Sequence, residues 1–314
     1  MNTRLFFCTD LHGSEVCFRK FLHAGSVYEA GVVIMGGDCT GKMIIPLVES
    51  GGGEFTCEWA GDTVVLTDAE ALAEQEKMIK NNGFYPVRLS AAEMERLSAD
   101  GAGVSTLFTE TMVHTLEGWT ALAAERLGSS GIKVIITPGN DDEFDVDGVL
   151  EASDFIDAAE GRVVKIDDEH EMLSVGWSNP TPWDTPRECS EEELAEKIHK
   201  LAAQVENMET AIFNIHVPPY GTGLDSAPEL EEGARVKRGG TIMASVGSTA
   251  VREALLEYQP MLSLHGHIHE SRGMQKLGRT VAINPGSAYS DWTLQGVIVD
   301  LDGAEVKRYV PTTG

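Results

Sequence analysis

The sequence is short of positive charge. Its 314 residues hold 24 Lys and Arg against 50 Asp and Glu, a formal net charge of −26. A broad nucleic-acid-binding face needs clustered Lys and Arg to neutralise phosphates. The charge therefore disfavours nucleic acid as a partner, and with it a nuclease, while leaving open a nucleotide held through metal ions. Paired cysteines are also missing. Cys8, Cys17, Cys39, Cys57 and Cys189 are odd in number and form no CxxC, the usage of reduced thiols in a cytosol. No run approaches the ~18 apolar residues of a membrane helix. The opening MNTRLFFCTDLHG shows no basic region followed by a long apolar stretch, so no signal peptide and a cytoplasmic location are expected.

What is present suits a full globular core, with 42% hydrophobic residues. Short apolar runs alternate with helical patterns, the signature of an α/β chain. Strands are expected at Arg4–Thr9, Val32–Met35, Lys133–Thr137, Arg162–Ile166, Met172–Gly176, Ala211–Ile215, Met261–His265, Thr280–Ile283 and Gly296–Asp300. Capping boxes at Thr67/Glu70, Ser90/Glu93 and Ser190/Glu193, and a cap at Ser248, mark helix starts. The chain reads as one domain, 1–314, with an insertion at about 42–109. That insertion holds a hairpin around Gly51–Gly53 and helical segments broken by Gly, and is expected to form a cap or side subdomain.

Polar residues gather at strand ends. Successive apolar runs finish in TDLHG (Asp10, His12), MGGDCTG (Asp38), PGNDD (Asn140, Asp141), FNIHVPP (His216) and LSLHGHIHE (His265, His267, His269). Singly, each has a plainer reading: an N-cap, a turn, a buried histidine. Together they are harder to dismiss, because open α/β sheets build sites beyond the carboxyl ends of their strands. His267 and His269 flank Ile268, so an extended segment points both imidazoles the same way. Carboxylate, amide and imidazole without thiolate suit Mn²⁺, Fe²⁺, Zn²⁺, Co²⁺ or Mg²⁺ rather than a structural cysteine-zinc site. Seven of these, Asp10, His12, Asp38, Asn140, His216, His267 and His269, exceed what one ion takes with a position left open. Two ions sharing one carboxylate, roughly 3.5–4 Å apart, form the clamp used in phosphoryl hydrolysis.

The order Asp10-x-His12, Gly37-Asp38, Gly139-Asn140, His216 and Gly266-His267-x-His269 resembles the calcineurin-like metallophosphoesterase superfamily. HVPPYGT, VGSTAVREALLEYQP, GHIHES and NPGS look like its branch of predicted phosphoesterases related to cyclic-nucleotide phosphodiesterases. The resemblance implies an α/β fold, a four-layer α-β-β-α sandwich of two mixed sheets. It also implies that Asp10, His12 and His269 hold one divalent metal ion, that Asn140, His216 and His267 hold the other, and that Asp38 bridges them. A metal-bridging hydroxide would attack phosphorus in line.

The sequence departs from that pattern at one place. Many members carry a histidine after Gly-Asn, credited with stabilising or protonating the leaving group; here Asp141 stands in that slot and Asp142 in the acidic slot after it. An ionised Asp141 would repel a phosphate, and a protonated one needs a pKa lifted well above about 3.9, through a proton shared with Asp142. Asp141 and Asp142 are the candidate catalytic residues, with His265 and His114 as spare acids. The exchange points to a phosphodiesterase acting on a small phosphoester or nucleotide. The alternatives are a phosphomonoesterase or protein phosphatase and a non-catalytic metal-binding interaction scaffold. The loop GWSNPTPWDTPRE carries Trp177, Trp183 and Arg187, read as pinned by two buried indoles before it is read as a base or phosphate contact. Arg252 and Arg272 are expected in surface pairs, and Gly286 and Ser287 in a turn beside the site.

Overall fold

The computed structural model describes residues 2–231, 235–236 and 242–314. The chain begins with β1 (Asn2–Cys8), α1 (Glu15–Val27) and β2 (Val32–Met35). It then makes β3 (Ile44–Gly51), β4 (Glu54–Trp59), β5 (Asp62–Leu66), α2 (Ala69–Asn81), β6 (Tyr85–Ser90), α3 (Ala91–Ser98) and α4 (Gly101–Leu127). Next come β7 (Lys133–Ile136), α5 (Asp145–Glu151), β8 (Ile156–Ala158), β9 (Val163–Lys165), β10 (Glu171–Val175), α6 (Glu191–Ala202) and β11 (Ile212–Ile215). The last part holds β12 (Ser226–Pro228), β13 (Leu230–Glu231), β14 (Arg235–Val236), β15 (Met243–Ser245), α7 (Thr249–Tyr258), β16 (Leu262–Leu264), β17 (Gly273–Leu277), β18 (Thr280–Asn284), β19 (Gln295–Asp302) and β20 (Glu305–Thr313).

Alternation along β1 shows how the layers arise. Leu5 and Phe7 join one apolar cluster, Phe6 and Cys8 another, and all four are fully buried. Successive side chains leave a strand on opposite faces, so β1 is covered on both, and such strands read as unbroken apolar runs. The first sheet has the order β20-β19-β1-β2-β7-β8, with β1, β2, β7 and β8 parallel and β19 and β20 antiparallel to their neighbours. The second has the order β17-β18-β16-β11-β10-β9, parallel across β10, β11, β16 and β18 and antiparallel at both edges.

One cluster joins the sheets face to face. It takes Leu5, Ile34, Ile135 and Val299 from the first and Met172, Ile212, Leu264 and Ile283 from the second. The outer face of the first sheet packs on α1, α4 and α5 through Phe18, Trp119 and Leu150. The outer face of the second packs on α6 and α7 through Leu194, Ile198, Val251 and Leu255. This is the expected four-layer α-β-β-α sandwich of two mixed sheets.

Strands β3–β6 form a separate four-stranded sheet, ordered β5-β4-β3-β6, with a small core of Leu47, Cys57, Leu66, Leu72 and Ile79. The hairpin at Gly51–Gly53 joins β3 to β4 as expected. Two details differ. The cap of α2 is Asp68, whose carboxylate accepts from the Glu70 and Ala71 amides, rather than Thr67. And α4 runs unbroken through residue 109 for 27 residues, because its second half is fastened to the main core. There Trp119 stacks on Phe18 with ring centroids 4.1 Å apart. The boxes at Ser90 and Ser190 and the cap at Ser248 form as expected.

Candidate metal centre

The ends of β1, β2 and β7 in the first sheet and of β11 and β16 in the second meet at one edge. Main-chain bonds bind the loops together. Asp10 N donates to Gly37 O at 3.0 Å, His12 N to Asp38 O at 2.9 Å, and Gly266 N to His216 O at 2.8 Å. Asp10, His12, Asp38 and His267 all adopt left-handed backbone, with φ of 55°, 44°, 46° and 66°. Such residues are uncommon outside glycine and cluster where surrounding structure holds strain for function. Two glycines permit the close approach. A Cβ on Gly139 would lie 2.2 Å from Asp38 Oδ1, and one on Gly266 2.1 Å from Thr9 Oγ1.

These constraints gather the seven candidate ligands. Asp10, His12 and His269 lie together as a group able to hold an ion, and so do Asp10, Asp38 and His216. His269 Nε2 is 3.4 Å from Asp10 Oδ1 and 3.1 Å from His12 Nε2. His216 Nε2 is 3.4 Å from Asp38 Oδ2 and 3.7 Å from Asp10 Oδ1. His267 Nδ1 lies 2.7 Å from Asn140 Oδ1, and the Asn140 amide nitrogen donates to Thr185 Oγ1 at 2.8 Å, which turns the amide oxygen toward the imidazole. The His267 main-chain N–H donates to both Asp10 oxygens at 3.1 Å.

The electrostatics show what the cluster needs. Burial raises the Asp10 pKa, but His216 and His269 outweigh it and bring it down to about 2. Burial acts the same way on Asp38, and His216 and His12 hold it well below the carboxylate range. Burial lowers His216, yet Asp38 and Asp10 lift it to about 9. His12 and His267 are pushed by burial down to about 3 and about 4 and stay neutral. Among the described residues, both ring nitrogens of fully buried His216, and Nδ1 of His12, have no hydrogen-bond partner. Buried polar atoms are normally paired. Neutral imidazole nitrogens facing shared carboxylates are the donor set that divalent cations take, so the residues present fit a metal.

The flanking residues divide. Asp142 is fully buried, and its carboxylate accepts from Cys39 N, Thr40 N, Thr40 Oγ1 and Gly139 N at 2.5–2.9 Å. Its oxygens are saturated, so it ties the loop after β2 to the turn after β7 and faces no substrate. Asp141 shares no bond with Asp142. It pairs with Lys42 Nζ, and its Oδ2 lies 3.8 Å from His12 Nδ1. Burial and Asp38 raise its pKa to about 6 while Lys42 pulls it back. His265 lies buried between Ser263 Oγ and Ile215 O. His114 is exposed on α4 beside Glu117. Neither spare acid reaches the cluster.

Arg187 is buried and clamps the Asn140–Glu143 turn, donating to Asp142 O, Glu143 O and Asp147. Trp183 is 65% exposed rather than buried, while Trp177 packs against Phe144 and Lys197. Arg252 and Arg272 bind neighbouring main-chain oxygens. Ser287 Oγ donates to Asp10 O at 2.7 Å, so the NPGS turn does sit beside the site.

Sequence reading missed Lys42 and Tyr289. The Tyr289 ring lies 4.8 Å from that of His12 and 6.0 Å from that of His269. It sits five residues after Asn284 in NPGSAYS, so the NPGS motif was the available signal.

Comparison with known proteins bears on the fold. No family model matches the chain. A stretch of 159 residues, half of this chain, is 31% identical to the uncharacterized protein MJ1162 of Methanocaldococcus jannaschii, and the match spans 65% of that protein, just under two thirds of its length. The structure superposes on TT1561 of Thermus thermophilus with a TM-score of 0.55 at 11% identity, over 100% of this chain and 99% of that one. Facing mixed sheets and outer helices decide the architecture. The fold is a four-layer α-β-β-α sandwich of two mixed sheets. An archaeal phosphodiesterase also aligns, over 99% of this chain and all of its own, but at a TM-score of 0.36 and 12% identity it is too distant in shape to speak for this chain. Fold alone does not fix function, so the site must carry that argument.

Proposed function

We propose that this chain is a dinuclear-metal phosphohydrolase acting on small phosphodiesters. One observation carries the reading. His216, fully buried and with no hydrogen bond at either nitrogen among the described residues, faces the carboxylates of Asp10 and Asp38. That pocket demands positive charge. Without metal it draws a proton onto His216 despite burial, and divalent cations answer the demand better.

Asp10, His12 and His269 would hold one ion, Asn140, His216 and His267 the other, and Asp38 would lie between. Bound there, the ions would supply an activated water and neutralise charge developing on phosphorus. The chain's own part is positioning. Thr185 orients Asn140, Ser287 and the His267 N–H fix the Asp10 loop, and Asp142 with Arg187 locks the turn that carries Asn140 and Asp141.

The preference for diesters rests on Asp141. Its carboxylate beside the cluster opposes a monoester dianion more than a diester monoanion. A second reading, phosphomonoesterase, is favoured by Lys42, whose charge offsets that carboxylate. The insertion is read as a side subdomain walling the site: Ser14 Oγ donates to Asn81 O and Gly41 N to Tyr85 Oη, each at 2.7 Å. The cytoplasmic assignment rests on five free thiols. Among the described residues no helix is long and apolar enough to cross a membrane.

The test is hydrolysis of aryl mono- and diesters with Mn²⁺, Mg²⁺, Co²⁺ and Zn²⁺, alongside metal analysis. Near two ions per chain and diester turnover lost in His267→Ala are expected. No turnover with any metal, or turnover that survives His267→Ala, sinks the reading. Equal or faster monoester turnover transfers it to the second.

A further inference from the structure

We propose that Lys42, held in place by Asp141, is the cation that binds the phosphoryl group of the substrate. The inference rests on the phosphohydrolase reading and adds to it a substrate contact and a role for Asp141.

Lys42 stands on a fixed root. Cys39 N and Thr40 N are both bound by the Asp142 carboxylate. Gly41 N is bound by Tyr85 Oη at 2.7 Å, and a Cβ on Gly41 would lie 2.0 Å from Gly83 O. The main chain from Asp38 to Lys42 is thus pinned between the sandwich and the insertion. The side chain leaves this root toward the cluster, where Nζ pairs with Asp141 Oδ2, the oxygen 3.8 Å from His12 Nδ1. Asp141 is itself fixed, its N–H donating to Asp38 Oδ1 at 3.0 Å.

Exposure separates Lys42 from the groups below it. The side chains of Asp10, His12, Asp38 and His216 are at most 3% exposed, whereas that of Lys42 is 52% exposed. With Asp141 at 15% and His269 at 31%, it marks the side on which the cluster meets solvent. Among the described residues it is the one Lys or Arg paired with a carboxylate of the cluster. Burial lowers its pKa, but Asp141 and Asp38 more than restore it, so the ammonium stays charged.

A phosphoester bound over the cluster has non-bridging oxygens directed outward, and a compact ammonium suits such an oxygen. Asp141 removes the rotamer freedom that a lone lysine would lose on binding. The carboxylate in the slot where the resemblance leads one to expect an imidazole is then no bare repulsive charge. It holds the phosphate ligand.

The experiment is calorimetric titration of inorganic phosphate into Mn²⁺-loaded wild type, Lys42→Met, Lys42→Arg and Asp141→Asn, with bound metal counted for each. Lys42→Met should weaken phosphate ~10- to 100-fold, the range for a hydrogen bond to a charged group, with metal content unchanged. Lys42→Arg should recover most of the affinity, and Asp141→Asn should lose less than Lys42→Met. In turnover, Lys42→Met should raise KM more than it lowers kcat. Wild-type affinity in Lys42→Met overturns the assignment, and so does metal lost from that variant. An ion lost from Asp141→Asn overturns the holding role and makes Asp141 a ligand. The two readings fail separately. An enzyme that turns over esters while Lys42→Met keeps its phosphate affinity loses only this inference. A wild type that binds phosphate through Lys42 but hydrolyses nothing loses only the activity.

Discussion

The two sheets make unequal contributions to the centre. Strand ends of the first sheet bring Asp10, Asp38, Asn140 and Asp141 with one imidazole, His12. Strand ends of the second bring His216, His267 and His269 and no carboxylate to the cluster. One sheet supplies the negative charge and the other three of the four imidazoles. Neither edge is satisfied by itself: among the described residues Asp10 and Asp38 pair with no Lys or Arg, and His216 has no hydrogen-bond partner. The centre is a property of the seam, which explains why so many backbone groups are spent on binding loop to loop across it.

The largest effect should come from the residue placed between the two proposed ions. Asp38→Ala removes the oxygen nearest His216 at 3.4 Å and the acceptor of the Asp141 N–H. Groups that merely support metal ligands typically cost 10- to 100-fold on mutation, so losing this carboxylate should cost at least about 100-fold in kcat/KM. Metal analysis should show fewer ions per chain. An Asp38→Ala protein that keeps both ions and its turnover would move the centre of the site elsewhere.

A smaller effect, on stability, separates Asp142 from Asp141. Asp142→Ala strands three buried main-chain donors, Cys39 N, Thr40 N and Gly139 N, and the Thr40 hydroxyl. Each unsatisfied donor costs about 1–3 kcal/mol, so a loss of at least ~3 kcal/mol is expected. Denaturant unfolding of the metal-free protein measures it. Asp141→Asn should change stability by less than a third of that, since its partner Lys42 is half exposed. If the two variants unfold alike, the adjacent carboxylates do not divide into a structural and a site-facing member.

This division marks how far the sequence could be read. That the seven candidate residues would gather at one edge was legible because motif and strand end coincide, and burial on both faces makes strands such as VVIM and IFNI unmistakable. Edge strand β20 was not legible: EVKRYVPTT is mostly exposed, and its pattern lacks a continuous apolar run. The glycines of α4 suggested breaks, but packing of Trp119 on Phe18 overrides their low propensity. The cap at Asp68 rather than Thr67 is a one-residue competition between two good acceptors. Lys42 had no local signal at all. It is a lysine after a glycine at the start of an insertion, and only the fold carries it to Asp141. Asp142 was found by motif but assigned the wrong direction, because which way a carboxylate turns depends on donors far away in sequence.

The smallest expected effect tests the seam through pH. In the metal-free protein His216 titrates at about 9, lifted by Asp38 and Asp10 above its usual 6.5 against the opposing effect of burial. A histidine raised in the folded state stabilises below its unfolded pKa and loses that contribution as pH climbs through the folded value. Stability of the metal-free protein should therefore fall between pH 6.5 and about 9. His269, also raised, by Asp10 against burial, acts with the same sign. His12, His265 and His267 are lowered to about 3, about 4 and about 4 and are neutral in the folded protein, so their opposing contribution fades once the unfolded imidazoles are neutral too, about one pH unit above 6.5. The shift corresponds to at most about 3 kcal/mol, or several degrees in Tm for a chain of this size. If Mn²⁺ binds at His216 as proposed, it would displace that proton and the slope should flatten, because metal binding and proton release are linked. A metal-free melting temperature that is level from pH 6.5 to 9 would mean that the carboxylates of the first sheet do not act on the imidazoles of the second.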